Sequence, residues 1–471
     1  MRLLFQHRQF AAVFALGLAL RVLTMVGYSP VVWFEDAFDY VGVAERLRPY
    51  PVRPSGYPIL LWAMRPLHSF AVVVGLQHLS GLAMGVMVYA LVLRRTRNPR
   101  KWSAVLASAP VLLDAYQIFF EHTILSDPLF SFLVVTAVTV TLWTPRVSLR
   151  RAASVGLLLA AAALTRSIGV ALLPVFAGYL VVNRSGWRTL LVTVVAAAVP
   201  LGCYAAWYGS WHGSPAINGG SGVWLWARTM PFADCQKIRP AADEAVLCPA
   251  QPVGRRPSSP HFIWADWSPL RNVPGHSVTT RGDLFHPGID RLAGNLARRA
   301  ISSQPSDYLQ LVVEDLKRAL NWRRGPDPKT AQIGFNRYAF PNVSGGPPPD
   351  EIRIPGATIR QDLQAYERGQ TVTRFCEPAA EVMRTYQSLS FMPGPIFGAL
   401  FAGATVVSAM GWARRSSGEV VLPLVSAIGL VISPVLVTAY DSRYLLPAIP
   451  LLCATLVIAA NNLVASPRLS T

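Results

Sequence analysis

The chain has 471 residues, of which 52% are hydrophobic and 14% are charged, and its mean hydropathy is +0.35. These values exclude an ordinary soluble globular protein and are typical of a protein that crosses a membrane several times. In a soluble chain the formal net charge of +18 would suggest a nucleic-acid partner. In a membrane chain an excess of basic residues on the inner loops accounts for much of this charge, so no nucleic acid is expected.

Apolar runs long enough to cross a bilayer predict the transmembrane helices. The first run follows a basic N-terminus, and the absence of a small-residue cleavage site after it favours an uncleaved span. The run at 152–182 is long for one span and short for two, and Arg166 interrupts it. Basic clusters flank this run, and placing both of them inside requires two crossings with Arg166 at the outer tip. The predicted spans are 10–28, 69–93, 102–119, 124–143, two short helices within 152–182, 189–208, 391–412, 420–438 and 445–464.

Charge bias orients these ten spans with both termini inside. The short inner segments then carry most of the basic residues, and of the 25 acidic residues only Glu419 lies inside. The side chains capable of chemistry are therefore predicted on the outer face. This topology divides the chain into a membrane region at 1–208 with an outer loop at 29–68, an extracytoplasmic insertion at 209–386 and a membrane region at 387–471.

The insertion contains no spanning run and combines loops rich in proline and glycine with two predicted helices, 289–301 and 305–322. An outer compartment permits disulfides, so we pair Cys235 with Cys248, which leaves Cys376 as the third outer cysteine. Basic residues at the end of the second helix are either ordinary C-terminal charges or face a phosphate. These residues are Lys317, Arg318, Arg323 and Arg324.

Three carboxylates directly follow the first span, and a segment Arg-Pro-Ser-Gly-Tyr-Pro begins at Arg53. The carboxylates are Glu35, Asp36 and Asp39. A helix over 34–47 would place its apolar residues on one face and Asp36, Asp39 and Tyr40 on the opposite face. Such an amphipathic helix would lie along the membrane surface with its acids over the headgroup layer. A solvated acidic loop is the alternative interpretation.

Further ionisable groups are predicted at the outer mouth of the helix bundle. They are Glu121, His122 and Asp127 at the top of the fourth span, Arg166 between the short helices, and Asp441, Arg443 and Tyr444 at the top of the last span. Ionisable groups at such positions are costly to desolvate, which indicates a functional site. Alternatively, the acids pair with Arg166 or Arg443 and only stabilise helix ends.

Carboxylates beside arginines on the outer face suggest a reaction with an anionic lipid. A guanidinium binds a phosphate through two parallel hydrogen bonds, and a carboxylate can accept the proton of an incoming hydroxyl. Glycosyl transfer from a polyprenyl-phosphate sugar needs both, because the leaving phosphate needs positive charge and the acceptor hydroxyl needs a base.

The set of motifs resembles the GT-C glycosyltransferases, which use lipid-phosphate-linked sugars. Asp36 and Tyr40 match the Asp-x-x-x-Tyr spacing of the family's first outer loop, with Glu35 before the aspartate. The segment 53–58 looks like the basic, proline-containing segment that follows in protein O-mannosyltransferases and lipid A aminoarabinose transferases. The later motifs of the family also have similar counterparts here, in the family's order, at 121–130, 165–167 and 441–447. In the first of these, Asp127 stands in place of the family's glutamate. The insertion lies before the last spans, whereas many members have a soluble domain at the C-terminus.

The resemblance implies an all-α polytopic membrane protein with a GT-C-like arrangement. It also implies an inverting glycosyltransferase (a hexosyl or pentosyl transferase) of the plasma membrane, whose active site faces outward and whose acceptor is an extracytoplasmic glycan, lipid or protein. Asp36 would be the general base, arginines would hold the carrier phosphate, and the remaining groups would contact sugar or acceptor. The implied phosphate ligands are Arg53, Arg166 and Arg443, and the implied sugar or acceptor contacts are Glu35, Asp39, Tyr40, Glu121, His122, Asp127 and Tyr444.

No cofactor is required by the sequence. The acids could bind a divalent metal, but no ligand spacing requires one, so no metal ligand is predicted. One alternative function is a lipid or solute transporter, although the chain shows neither clearly repeated halves nor charges near the middle of its spans. The other is a scaffold of a cell-envelope complex without catalytic activity.

Overall fold

The computed structural model describes residues 7–322, 338–342, 348–413 and 418–465. Within these ranges the chain is mostly helical, with one two-stranded antiparallel sheet formed by β1 (Tyr28–Ser29) and β2 (Arg374–Phe375). The helices are α1 Arg8–Gly27, α2 Glu35–Arg46, α3 Gly56–Met64, α4 Phe70–Arg95, α5 Lys101–Leu113, α6 Ala115–Glu121, α7 Ser126–Leu142, α8 Leu149–Thr165, α9 Leu172–Val182, α10 Trp187–His212, α11 Ser221–Thr229, α12 Cys235–Ile238, α13 Ser259–Trp264, α14 Pro287–Ser303, α15 Pro305–Arg318, α16 Ile359–Tyr366, α17 Ala379–Leu389, α18 Gly394–Ala413, α19 Val421–Val437 and α20 Ala448–Ala465.

Six helical segments of the described chain are long and apolar enough to cross a membrane. They comprise α1, α4, α10, α18, and α19 and α20 together with the short turns that precede them. The pair α5 and α6 forms a seventh candidate with a bend of 49°. Helix α7 and the segment Ser167–Val182 are apolar but shorter. These helices support a multi-pass all-α membrane fold, and the predicted number of ten spans is not confirmed.

The bend between α5 and α6 has a local cause at Asp114. Its Oδ1 accepts hydrogen bonds from the backbone N–H groups of Tyr116 and Gln117, 2.8 and 3.1 Å away, and so caps α6. Its Oδ2 accepts a third from the N–H of Met392. The cap ends α5 and begins a helix in a new direction.

Arg166 separates α8 from the next helical segment, where the sequence predicts a break. Its backbone is extended, and a turn of 3₁₀ helix, Ser167–Ala171, leads into α9. Helix α3 begins against the end of α8, because a Cβ at Gly56 would lie only 2.5 Å from the carbonyl oxygen of Leu164. This close approach brings the segment that begins at Arg53 to the end of α8.

Helix α2 forms close to the predicted position, but its acidic face is buried in protein, whereas the amphipathic pattern predicts it open over the headgroup layer. Its apolar residues Ala37 and Val41 are buried, and its acids Asp36 and Asp39 are only 8% and 3% exposed. Both faces are covered because the insertion packs on this helix, with Asp362 of α16 bound to Arg46 at 2.7 and 3.1 Å.

The insertion has a core of its own. Helices α11 and α14 pack closely at Gly222, where a Cβ would lie 2.0 Å from the carbonyl oxygen of Asp290. The two predicted helices correspond to α14 and α15, and Arg323 and Arg324 lie outside the described residues. Cys235 and Cys248 form a disulfide with Cα atoms 6.2 Å apart. Between His212 and Gly394 the described residues include no helix that meets the length and hydropathy of a membrane span.

Candidate active site

Asp36, in the first turn of α2, lies between two arginines. Its Oδ1 accepts a hydrogen bond from Nη2 of Arg53, and its Oδ2 accepts one from Nη1 of Arg443, both at 2.8 Å. Arg443 lies 407 residues along the chain, in the short turn before α20. The segment after the first span and the turn before the last span therefore meet at this carboxylate.

Asp39 lies one helical turn further along α2 and shares Arg53 with Asp36. Its Oδ2 accepts from Nη1 of Arg53 at 2.9 Å, so one guanidinium bridges two carboxylates. Its Oδ1 makes no hydrogen bond within the described residues and lies 3.8 Å from Nη1 of Arg353. Burial raises the pKa of Asp39, and the nearby arginines Arg53 and Arg353 oppose this rise only in part.

Arg353 and Arg281 come from the insertion, and no motif in the sequence marks either of them as a site residue. Nη1 of Arg353 donates to the backbone carbonyl oxygen of Glu35 at 2.9 Å, and its guanidinium lies 5.5 Å from the ring of Phe38. Arg281 lies 3.7 Å from the carboxylate of Glu35, whose side chain is 69% exposed. Arg353 belongs to a loop rich in proline and glycine, which carries no local signal for a role beside α2.

A second ion pair continues the site toward α7 and α8. Arg166 is paired with Asp127, and its guanidinium lies 5.2 Å from the ring of Tyr444. The guanidinium of Arg443 lies 5.5 Å from the same ring, so Tyr444 has a cation–π contact with each arginine. Oδ2 of Asp127 has no hydrogen-bond partner in the described part of the chain.

Tyr40 connects these two groups of charges. Its hydroxyl is 2.9 Å from Oγ of Ser126, the residue before Asp127, and Arg53 lies 5.6 Å from its ring. Burial raises the pKa of Tyr40, which keeps the phenol neutral. Direct contacts thus connect eight of the predicted residues, namely Asp36, Asp39, Tyr40, Arg53, Asp127, Arg166, Arg443 and Tyr444. The side chain of Glu35 contacts Arg281 instead.

Glu121 and His122 do not contact this group through their side chains. Glu121 pairs with Arg21 of α1, and His122 contacts His78 of α4 and the backbone carbonyl of Tyr28. The sequence placed them with Asp127 because they are close along the chain. Asp441, in contrast, does lie beside the connected group, because its carboxylate is 3.5 Å from Nε of Arg443.

The site can bind an anion beside a pair of acids. Three arginines lie within 3.8 Å of Asp36 or Asp39, namely Arg53, Arg353 and Arg443. The side chains of Arg53 and Arg166 keep 20% and 17% of their surface exposed, so a ligand can reach both. A phosphate would find guanidinium donors in this arrangement, and a sugar or hydroxyl group would find carboxylate acceptors.

No family model and no curated protein matches the chain. Solved structures do align with it, including the oligosaccharyltransferase of Archaeoglobus fulgidus in the apo form (13% identity, TM-score 0.43, 95% of this chain and 50% of that one). The oligosaccharyltransferase AglB of the same archaeon, with an inhibitory peptide and a dolichol-phosphate, aligns at 12% identity and a TM-score of 0.44 over 96% of this chain and 50% of that one. ArnT from Cupriavidus metallidurans bound to undecaprenyl phosphate aligns at 13% identity and a TM-score of 0.36, over 96% of this chain and 77% of that one.

These structures belong to the GT-C glycosyltransferases, the family that the motifs of the sequence resemble. The chain spans about half the length of the oligosaccharyltransferase. At 12–13% identity and TM-scores below 0.5 the similarity concerns the fold alone.

Proposed function

We propose that the chain is a membrane glycosyltransferase that moves a sugar from a polyprenyl-phosphate donor to an acceptor on the extracytoplasmic side. The observation that carries this proposal is the buried core in which Asp36 lies between Arg53 and Arg443, with Asp39 beside it. Buried arginines paired with acids are costly to desolvate, and such perturbed, paired groups occur preferentially at functional sites.

The arginines would hold the carrier phosphate. As the bond from the sugar to phosphate breaks, its electron pair passes to the phosphate oxygen, and the growing negative charge needs fixed positive charge nearby. Arg53, Arg166 and Arg443 supply that charge from three different parts of the chain, and the ring of Tyr444 lies between two of them. Asp127 holds Arg166 in place.

Asp36 would act as the general base. The acceptor hydroxyl attacks the anomeric carbon from the side opposite the phosphate, which inverts that carbon, and its proton passes to the carboxylate of Asp36. Two guanidiniums stabilise the anionic form of this carboxylate and fix its orientation, while each oxygen retains a further lone pair for the proton. Asp39 would orient Arg53 and the acceptor.

Positive charge in this mechanism comes from arginine. One structure of the archaeal oligosaccharyltransferase contains zinc and sulfate. In this chain three of the four carboxylate oxygens of Asp36 and Asp39 accept hydrogen bonds from arginine, an arrangement that leaves a cation few ligands and surrounds it with positive charge. No step of the proposed reaction uses a metal.

The membrane topology belongs to the same proposal. The six long segments, the bent pair α5 and α6, α7 and the two short helices on either side of Arg166 together give ten spans. Both termini would then lie inside, and the site would lie on the outer face of the plasma membrane. Residues 209–386 then form an extracytoplasmic domain between the membrane regions 1–208 and 387–471, and this domain covers α2.

The test is transfer from purified polyprenyl-phosphate sugars in detergent, with donor binding measured separately. Asp36→Asn keeps the size of the side chain but cannot accept the proton, so we expect transfer to fall about 10²–10⁴-fold while donor binding persists. Asp39→Asn is the matched variant, and we expect a smaller loss. Near-normal turnover in Asp36→Asn with an inactive Asp39→Asn would move the base to Asp39, and full activity in both would refute the mechanism.

A further inference from the structure

A second cluster of ionisable side chains lies where α1, α4 and α6 meet. Arg21 donates from Nε and Nη2 to the two oxygens of Glu121, at 2.7 and 2.9 Å, and Gln117 donates to one of them at 2.9 Å. Arg21 is 1% exposed and Glu121 is fully buried. Gly81 leaves room for the carboxylate, because a Cβ there would lie 1.7 Å from Oε1 of Glu121.

Two histidines extend this cluster in a row. Nδ1 of His78 lies 3.0 Å from Oε2 of Glu121, and Nε2 of the same ring lies 3.1 Å from Nδ1 of His122. Nε2 of His122 lies 2.7 Å from the backbone carbonyl oxygen of Tyr28. Both imidazoles are buried, so these three contacts are their polar environment within the described residues.

The row needs more protons than its neutral imidazoles carry. A carbonyl oxygen only accepts, so Nε2 of His122 must carry a proton. The contact between the two rings needs a second proton, and the contact between His78 and Glu121 needs a third. Two neutral imidazoles supply two protons, and an ionised carboxylate supplies none.

The missing proton can be placed. Burial lowers the pKa of His122 to about 3, so this ring is neutral and its single proton is on Nε2. Nδ1 of His122 then accepts, and Nε2–H of His78 donates to it. The third proton therefore belongs between Nδ1 of His78 and Oε2 of Glu121.

We propose that His78 and Glu121 form a buried proton-binding site. The bound proton is shared by the pair, either on the imidazole facing a carboxylate or on the carboxyl facing a neutral imidazole, and the two forms titrate as one site. It completes a chain of hydrogen bonds that joins α1 and α4 to the segment after α6. That segment continues to Ser126 and Asp127, which contact Tyr40 and Arg166 in the candidate active site.

The surrounding charges are few in the part of the chain that the structure describes. Arg21 faces Glu121 from α1. Asp114 is engaged by backbone N–H groups, and from α17 Arg384 contacts the hydroxyl of Tyr28 and pairs with Glu377. Tyr386 of α17 donates to a backbone carbonyl. Arg21 and the carboxylate balance each other, so the site gains net positive charge with the proton.

The protonation state of the pair in the unmodified, full-length protein tests the proposal. Solid-state NMR of protein labelled with ¹⁵N-histidine and ¹³C-glutamate reports both partners at pH 7. We expect either a doubly protonated His78 or a protonated Glu121. A neutral His78 beside an ionised Glu121 would refute the site.

Discussion

At the scale of single residues, Arg53 has the most demanding role, because one planar guanidinium bonds to Asp36 and Asp39 together. Burial alone would lower the pKa of Arg53, but the adjacent carboxylates, Asp36 foremost, raise it above its ordinary value. The side chain therefore stays charged. A lysine in its place would also be charged, but its ammonium is a point charge that cannot reproduce the fork.

Arg53→Lys is therefore expected to weaken binding of the polyprenyl-phosphate donor roughly 10–100-fold, since a charged hydrogen bond contributes about 1.5–3 kcal/mol. Arg48→Lys is the matched control, because Arg48 is exposed and lies over the ring of Trp211 instead of in the site. Donor affinity measured in detergent decides the point. Equal affinity in both variants would show that donor binding does not require the paired N–H donors of the Arg53 guanidinium.

Asp39 and Asp283 are expected to affect the pH dependence of stability in opposite directions. Burial raises the pKa of Asp39. Its contribution to the stability of the folded protein is therefore present below about pH 3.9 and is lost as pH rises through the raised pKa. Burial would also raise the pKa of Asp283, but hydrogen bonds from Thr279 and Thr280 lower it overall. The contribution of Asp283 is therefore present above about pH 3.9 and is lost as pH falls.

The measurement is the thermal unfolding midpoint between pH 3 and 7. We compare the midpoint of each variant with that of the wild type at the same pH. As pH increases, the difference (variant minus wild type) should rise for Asp39→Asn and fall for Asp283→Asn. A change of the same sign in both variants would contradict the environments that the structure gives these two acids.

At the scale of secondary-structure elements, the main feature is that α2 is held from both sides. Arg53 follows it in the chain, Arg443 approaches it from the last span, and Arg353 reaches it from the insertion. Arg353 donates to the backbone of Glu35 at the start of α2 and lies near the unbonded oxygen of Asp39. It is thus a positioning residue, which sets where the acids of α2 lie.

Arg353→Gln is expected to lower the turnover number about 10–100-fold, because the loss of a charged hydrogen bond lets the first turn of α2 shift, while donor affinity stays near that of the wild type. Arg360→Gln is the control, since Arg360 is exposed on the nearby helix α16. Turnover and donor affinity are measured separately. A loss confined to donor affinity would place Arg353 among the phosphate ligands instead.

At the scale of the whole molecule, the exposed cysteines report the membrane topology. Cys376 is exposed in the insertion, Cys203 is exposed on the spanning helix α10, and Cys453 is buried. If residues 209–386 are extracytoplasmic, Cys376 faces the outer solution and Cys203 faces lipid.

An impermeant maleimide applied to intact cells is therefore expected to label the protein at Cys376, and Cys376→Ser is expected to abolish the labelling. Cys203→Ser is the matched control and should leave it unchanged. Labelling of Cys376 only after permeabilisation would place the insertion, and the site that it covers, on the inner side.

Local sequence determines much of this protein. Apolar runs predict the long helices, because burying hydrophobic side chains in lipid depends mainly on composition. The spacing of apolar residues over 34–47 predicts α2, because helix formation is local. The break at Arg166 and the proximity of Arg53 to the acids of α2 also follow from short stretches of chain. Each of these features involves residues close together in sequence.

Tertiary structure alone decides which charges meet. Asp36 could pair with many arginines, and its partner Arg443 is 407 residues away. Glu121 pairs with Arg21 of the first span instead of Arg166 or Arg443, and Arg353 reaches Asp39 from a loop without a local pattern. A buried charge needs a partner because desolvation is costly, but packing between distant helices selects that partner. The same packing buries the acidic face of α2, although the amphipathic pattern of the sequence predicts that this face lies open over the headgroup layer.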